Sequence, residues 1–216
     1  MKTGIIVGAA PLGKEREILK KMLTSSRKDY YVVAADGGIC FFLEENIRPD
    51  HFIGDMDSTS DSFLKTVKSI FPDLKTNSCS PIKDETDMEL GLQDAFSNGC
   101  DTAYMFGGLG GERISHAFAN IQLMHHFLLE GKKITAYYEN AIAYLTDKDI
   151  DFKARKAGFI SILSLTDEAL VSIKGLKYEF EGKLTNAHAL GVSNEFIGKE
   201  VHISLDKGVL LIVEES

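Results

Sequence analysis

Asp55 and Asp57, two apart in Gly54-Asp55-Met56-Asp57-Ser58, are the residues of this chain best suited to chemistry. In an extended segment, side chains at i and i+2 point to the same side. Two carboxylates presented together suit Mg²⁺, a hard cation that takes a few carboxylates and fills its shell with water and phosphate oxygens. A polar turn after a strand has the same pattern. Asp87 also carries two readings. Thr86 and Glu89 fit a capping box, with Asp87 a first-turn acid favoured by the helix dipole; in the other reading Asp87 joins the metal-binding acids. Lys83 is either a solvated loop lysine or a mobile point charge for phosphate. Gly107-Gly108-Leu109-Gly110-Gly111 lacks the Gly-Lys-Ser/Thr ending of a P-loop. It is either a simple tight turn or a place where backbone N–H groups approach an anion. Arg113, His116 and Asn120 follow as one polar stripe of a helix, either a solvated face or part of a site. The stripe Ile114, Phe118, Ile121 and Leu128 is expected to face the core.

Short apolar runs alternating with helical patterns must position these groups. Strands are expected at Ile5–Val7, Tyr30–Ala35, His51–Ile53, Leu74–Ser78, Ala103–Phe106 and Ile134–Tyr138. Helices are expected at Glu15–Leu23, Ile39–Glu45, Phe63–Ile70, Thr86–Phe96 and Glu112–Leu129. This alternation implies a three-layer α/β domain, with a mostly parallel sheet covered on both faces. In such open sheets, ligands sit outside the carboxyl ends of the strands. Asp36-Gly37-Gly38, the Gly54–Ser58 segment, Lys83-Asp84-Glu85-Thr86-Asp87 and the Gly107–Gly111 loop all fall at such ends. Acids, a lysine and glycines gathered at one sheet edge suit a metal–phosphate site.

The texture changes near Asp147. Phe159–Leu165, Leu170–Ile173, Tyr178–Leu184, Glu200–Leu205 and Val209–Val213 are strand candidates separated by turn residues. The division is therefore an α/β domain over 1–146 and a β-rich domain over 147–216. A unit of about 70 residues is near the lower limit for an independent core. It is expected to pack against the first domain, a second copy of the chain, or both.

Composition narrows the function classes. The 216 residues carry a net charge of −8, which argues against a nucleic-acid partner because counterion displacement needs a basic face. Cys40, Cys79 and Cys100 show no metal-binding spacing and suit free thiols in a reducing compartment. No apolar run reaches the roughly 18 residues of a membrane span, and no signal-peptide core is present. A cytoplasmic protein with no membrane partner is expected.

The ordered set of motifs resembles one family, the thiamine pyrophosphokinases. The resemblance rests on Tyr31–Gly38, Arg48-Pro49-Asp50 leading to Gly54–Ser58, Lys83-Asp84-x-Thr86-Asp87, Gly108-x-Gly110-Gly111 with Arg113 and His116, and Ser193-Asn194-Glu195. It spans nearly the whole chain. It implies transfer of the pyrophosphoryl group of ATP to thiamine with Mg²⁺, an α/β domain for ATP, a C-terminal β-sandwich that helps to bind thiamine, and a homodimer with active sites between subunits. By resemblance, Asp55, Asp57 and Asp87 hold Mg²⁺, and Lys83 and Arg113 oppose phosphate charge. Asp36, Gly37, Gly38, Ser58, Thr86, Gly110, Gly111 and His116 join them around the nucleotide. Ser193, Asn194 and Glu195 meet thiamine; without the resemblance they read as a polar turn. Two departures stand out. Ser115 replaces an acid usual in the family, with Glu112 extra after Gly111, and the chain has no Trp to stack on thiamine. A pterin-type pyrophosphokinase and a non-catalytic nucleotide- or thiamine-binding protein are the competing readings.

Overall fold

Short apolar runs bounded by turn residues become strands buried on both faces when helices cover the sheet. The computed structural model describes residues 2–54, 61–78 and 85–216, the side chains of 61, 62 and 78 excepted. Its first unit, Met1–Glu139, alternates β1 (Thr3–Val7), α1 (Glu15–Ser25), β2 (Tyr30–Ala35), α2 (Ile39–Glu45), β3 (His51–Gly54), α3 (Asp61–Ile70), β4 (Lys75–Ser78), α4 (Asp87–Ser97), β5 (Thr102–Phe106), α5 (Ile114–Leu129) and β6 (Lys133–Tyr138). The strand order is β6-β5-β1-β2-β3-β4, and every pair is parallel. The chain winds outward from β1 to β4, then returns through α4 to β5 on the other side of β1. The topological switch point therefore lies between β1 and β5, where open α/β sheets place their ligand crevice.

Side-chain alternation along the strands feeds two cores. On one face, Ile5, Val7, Val32, Ala34 and Phe52 pack with Leu19 and Leu23 of α1, Phe42 of α2 and Val67 of α3. On the other face α4 lies so close to β1 that a Cβ on Gly91 would stand 3.0 Å from Ile6 Cγ2. Asp94 of α4 ties two strands to the helix: it accepts the Tyr31 hydroxyl at 2.8 Å and pairs with Nδ1 of buried His51 at 2.8 Å. Burial, then the Asp94 contact, pushes the Tyr31 phenol upward from its ordinary ionisation range.

The core stripe expected on α5 is corrected. Ile114 is 85% exposed and Phe118 65%, while Asn120, Met124 and Phe127 are the buried residues. Apolar residues occur on more than one side of this helix, so periodicity left two candidate faces. The buried face includes Asn120, whose amide is satisfied by a backbone carbonyl.

The second unit, Asn140–Ser216, consists of β7 (Ala141–Thr146), β8 (Ile150–Phe152), β9 (Phe159–Ser164), β10 (Ala169–Lys174), β11 (Phe180–Leu184), β12 (Asn194–Glu195), β13 (Val201–Lys207) and β14 (Leu210–Glu215). They form two antiparallel layers, β12-β9-β14-β7 and β11-β10-β13-β8. Ile160, Ile162, Leu210 and Ile212 of one layer share a core with Val171, Ile173, Ile203 and Leu205 of the other. This alternation is the signature of a sandwich. β7 pairs with β14 from Ala141↔Glu215 to Thr146↔Leu210, so the compact unit begins ahead of the change in sequence texture. β12 is two residues long, too short to show a period.

Candidate active site

The predicted first-unit residues that the structure describes lie at turns and helix starts, and the closest packing there is backbone against backbone. β2 ends at Asp36, whose φ of 50° is unusual for a residue with a side chain and is tolerated best by Asp and Asn. Asp36 and Gly37 are exposed and Gly38 is buried. A Cβ on Gly38 would overlap the Val7 carbonyl oxygen, so only glycine lets the turn pass the end of β1. Cβ atoms on Gly37 and Gly54 would stand 3.1 Å from Ala9 Cβ and 3.3 Å from Asp36 Cα. The ends of β1, β2 and β3 therefore touch. On the other side of the switch point, Gly8 N donates to the Phe106 carbonyl at 2.8 Å and Ala10 N to the Gly107 carbonyl at 3.2 Å. Gly107 has φ 62°, and a Cβ there would lie 2.7 Å from the Gly8 carbonyl oxygen. A continuous rim thus runs through the ends of β3, β2, β1 and β5. The Gly8–Gly13 loop is part of it and escaped the sequence reading. Its signals are turn residues, Gly8 directly after the apolar run Ile5-Ile6-Val7 and then Pro11 and Gly13, with no titratable side chain inside the loop.

The start of α4 reaches the same rim. Thr86 caps it, its hydroxyl oxygen accepting the Glu89 N–H at 3.1 Å, which is the N-cap half of the expected capping box. Partly buried Asp87 is its first residue, and neighbouring Met88 approaches Gly8 so closely that a Cβ there would stand 2.6 Å from Met88 Cε. Arg113 precedes α5, with its Nη1 3.4 Å from His116 Nε2, and both residues are exposed. Gly110 lies against the Tyr138 ring, and Gly111 beside Ala10. Asp55, Asp57, Ser58 and Lys83 lie outside the described residues.

Among the described residues, no three His, Cys, Asp or Glu side chains converge. Of the three acids expected to hold Mg²⁺, Asp87 is the one among the described residues, and a carboxylate is a hard oxygen ligand that suits Mg²⁺. An open groove of about 470 Å³ lies between α4 and strands β3 and β4, lined by Ile53, Thr76, Asn77, Leu90, Gln93, Asp94 and Ser97. None of the predicted site residues lines it.

In the second unit the construction is different. Ser193 adopts φ 56°, and its N–H donates to Ser161 Oγ at 3.1 Å. Asn194 is buried: its Oδ1 accepts the Tyr178 N–H at 3.0 Å and its Nδ2 donates to the Tyr178 carbonyl at 2.8 Å. Glu195 pairs with Lys177 at 2.6 Å, a contact that raises the Lys177 ammonium above its ordinary range. Asn194 thus clamps the backbone of Tyr178, a residue that is 59% exposed and whose ring has Lys177 Nζ 5.3 Å from its centroid. Behind this strand, Arg155 lies 4.8 Å from the Phe196 ring and 2.6 Å from the buried Glu214 carboxylate, which also accepts the Tyr144 hydroxyl at 2.9 Å. Tyr178 and Arg155 were not singled out from sequence, because their partners are remote in the chain.

A parallel α/β sheet with a glycine rim at its switch point, followed by a β-sandwich, defines a chain of two units, one α/β and one all-β. Residues 22–136 match the family described as "Thiamin pyrophosphokinase, catalytic domain", and residues 147–210 match "Thiamin pyrophosphokinase, vitamin B1 binding domain". The chain belongs to the thiamin pyrophosphokinase family and is a transferase. It is 26% identical to the thiamine pyrophosphokinase of Bacillus subtilis over 220 residues, covering 100% of both chains. The crystal structure of a Bacillus subtilis thiamine pyrophosphokinase shares its fold at TM-score 0.85 and 24% identity, covering 100% of this chain and 99% of that one. The Candida albicans enzyme shares it at TM-score 0.74 and 18% identity, covering 100% and 90%.

Proposed function

We propose that this protein transfers the pyrophosphoryl group of ATP to the hydroxyl of thiamine, with Mg²⁺, giving thiamine diphosphate and AMP. The observation that carries the reading is the pairing of both family domains, in order, with a glycine rim at the β1/β5 switch point. The thiamine hydroxyl oxygen bonds to the β-phosphorus as the bond from that phosphorus to the α,β-bridging oxygen breaks, and AMP leaves with the electron pair. A carboxylate of the acidic cluster takes the hydroxyl proton. Asp55, Asp57 and Asp87 would hold Mg²⁺, which would supply neutralisation of phosphate charge. Lys83 and Arg113 oppose charge on the transferring group, because positioning and electrostatics dominate phosphoryl-type transfer. Asp36, Gly37, Gly38, Ser58, Thr86, Gly110, Gly111 and His116 surround the nucleotide.

Ser193, Asn194 and Glu195 form the thiamine side, and Tyr178, its backbone clamped by Asn194, supplies the aromatic face in a chain without Trp. The enzyme works as a homodimer with active sites at the subunit interface. The exposed Ile114 and Phe118 on α5 support an apolar contact with a second copy. We place the reaction in the cytoplasm; Cys40 and Cys100 are free thiols, and no helix among the described residues is long and apolar enough to cross a membrane.

The test is purified protein with ATP, Mg²⁺ and either thiamine or a hydroxymethylpterin, following AMP release. AMP formed only with thiamine is expected. Turnover with the pterin alone overturns the substrate assignment, and thiamine binding without turnover overturns the enzymatic one. Light scattering of the purified protein should give twice the chain mass; a monomer overturns the dimer.

A further inference from the structure

We propose that Asn120 is a positioning residue that presets the Gly107–Gly111 loop so that the Leu109 N–H faces phosphate oxygens. The inference rests on the nucleotide reading above. Asn120 is buried in α5, and its Nδ2 donates to the Gly108 carbonyl oxygen at 2.6 Å. The peptide linking Gly108 to Leu109 is trans and planar, so its N–H points opposite to its carbonyl. With the carbonyl turned onto Asn120, the Leu109 N–H is turned away from α5. The N–H groups of Gly108, Leu109, Gly110 and Gly111 donate to no partner among the described residues. Gly110 and Gly111 have φ 88° and 79°, conformations that glycine adopts readily and that let the backbone itself line the loop.

The loop is held elsewhere too. The Gly107 carbonyl accepts the Ala10 N–H, and Gly110 rests on Tyr138. Neither contact fixes the Gly108–Leu109 peptide. Glycine at 108 lets that peptide rotate at little cost, and rotation would present a carbonyl where a donor is needed, turning attraction for phosphate into repulsion. An uncharged amide is suited to this task because it satisfies the carbonyl without placing a charge beside the anion site. Aspartate has the same shape, has no donor when ionised, and sets oxygen against oxygen.

Asn120→Asp and Asn120→Ala are tested by steady-state kinetics and by amide-resolved NMR of the full chain titrated with ATP and Mg²⁺. The expected result is KM for ATP raised about tenfold, ~1.4 kcal/mol, with KM for thiamine unchanged. In the wild type the Leu109 amide shifts on adding ATP, and in both variants that shift is lost. A purely structural role would instead lower the active fraction, and so apparent kcat, with both KM values intact. That result, or a folded variant with wild-type KM for ATP, overturns the proposal. If neither variant folds, the wild-type titration decides, and an unmoved Leu109 amide overturns it. Thiamine turnover with Leu109 unmoved sinks this inference alone. A shifted Leu109 amide in a protein that turns over no thiamine sinks the proposed reaction alone.

Discussion

The two units build their candidate binding surfaces from different materials. In Met1–Glu139 the rim is made of backbone: Gly8, Gly38 and Gly107 let chain ends approach within distances that a Cβ would forbid. In Asn140–Ser216 the surface around Ser193–Glu195 is held by side chains, with Asn194 clamping Tyr178 and Arg155 bridging Phe196 to Glu214. A rim that cradles phosphate needs N–H groups and close approach, which glycine supplies. A surface for a heteroaromatic cation needs an exposed ring on an anchored backbone, and Asn194 anchors the backbone of Tyr178. Substitutions should therefore fail in different ways in the two units.

The largest effect is expected from chemistry alone. Asp57→Asn removes a proposed metal ligand and should lower turnover on the order of a thousandfold, with an unchanged melting temperature. Wild-type-like activity would remove Asp57 from the proposed metal site. Next comes the backbone. Gly38→Ala drives a methyl into the Val7 carbonyl oxygen, and overpacking of this kind costs about 3 kcal/mol. Chemical denaturation measures it. A loss below about 1 kcal/mol would mean that the turn can shift, and the contrast drawn for the first unit would weaken.

Side-chain networks are expected to tolerate loss better. Arg155→Ala leaves the Glu214 carboxylate with the Tyr144 hydroxyl and no cation. A fully buried pair broken this way costs several kcal/mol, but Arg155 is half exposed, so about 2 kcal/mol is expected after solvent screening. Arg155→Lys should recover part of that loss, because it restores charge without the planar stack on Phe196. Equal losses for both variants would assign the network's value to stacking and not to charge.

The same contrast explains what could be read from the sequence. Strand and helix periods, and turn glycines after apolar runs, are local signals, so most elements and the rim at Gly38 and Gly107 were visible. α5 was misjudged because Ile114 and Phe118 are as apolar as Met124 and Phe127, and the contact that separates the two faces, Asn120 with the Gly108 carbonyl, is tertiary. β7 was missed because its partner, β14, lies at the far end of the chain. Tyr178 and Arg155 share that difficulty: their neighbours Asn194 and Glu214 are distant in sequence, and no spacing rule links them. Ser193-Asn194-Glu195 was readable as a site only through family resemblance, since a polar turn has the same composition.

The smallest expected effect is the most discriminating. Asn194 bonds the backbone of Tyr178 and not its ring, so Tyr178→Ala removes the exposed aromatic face while leaving the clamp in place. Stability should change little. If the ring stacks on thiamine, KM for thiamine should rise about fivefold to tenfold, the ~1 kcal/mol value of an aromatic contact, while KM for ATP stays constant. Tyr178→Phe should behave like wild type and Tyr178→Trp should bind at least as tightly, because the larger ring adds stacking area. Unchanged thiamine kinetics in Tyr178→Ala would show that the clamp serves the fold of the sandwich only. The half-exposed Phe159, cross-strand from Glu195, would then be the aromatic to test.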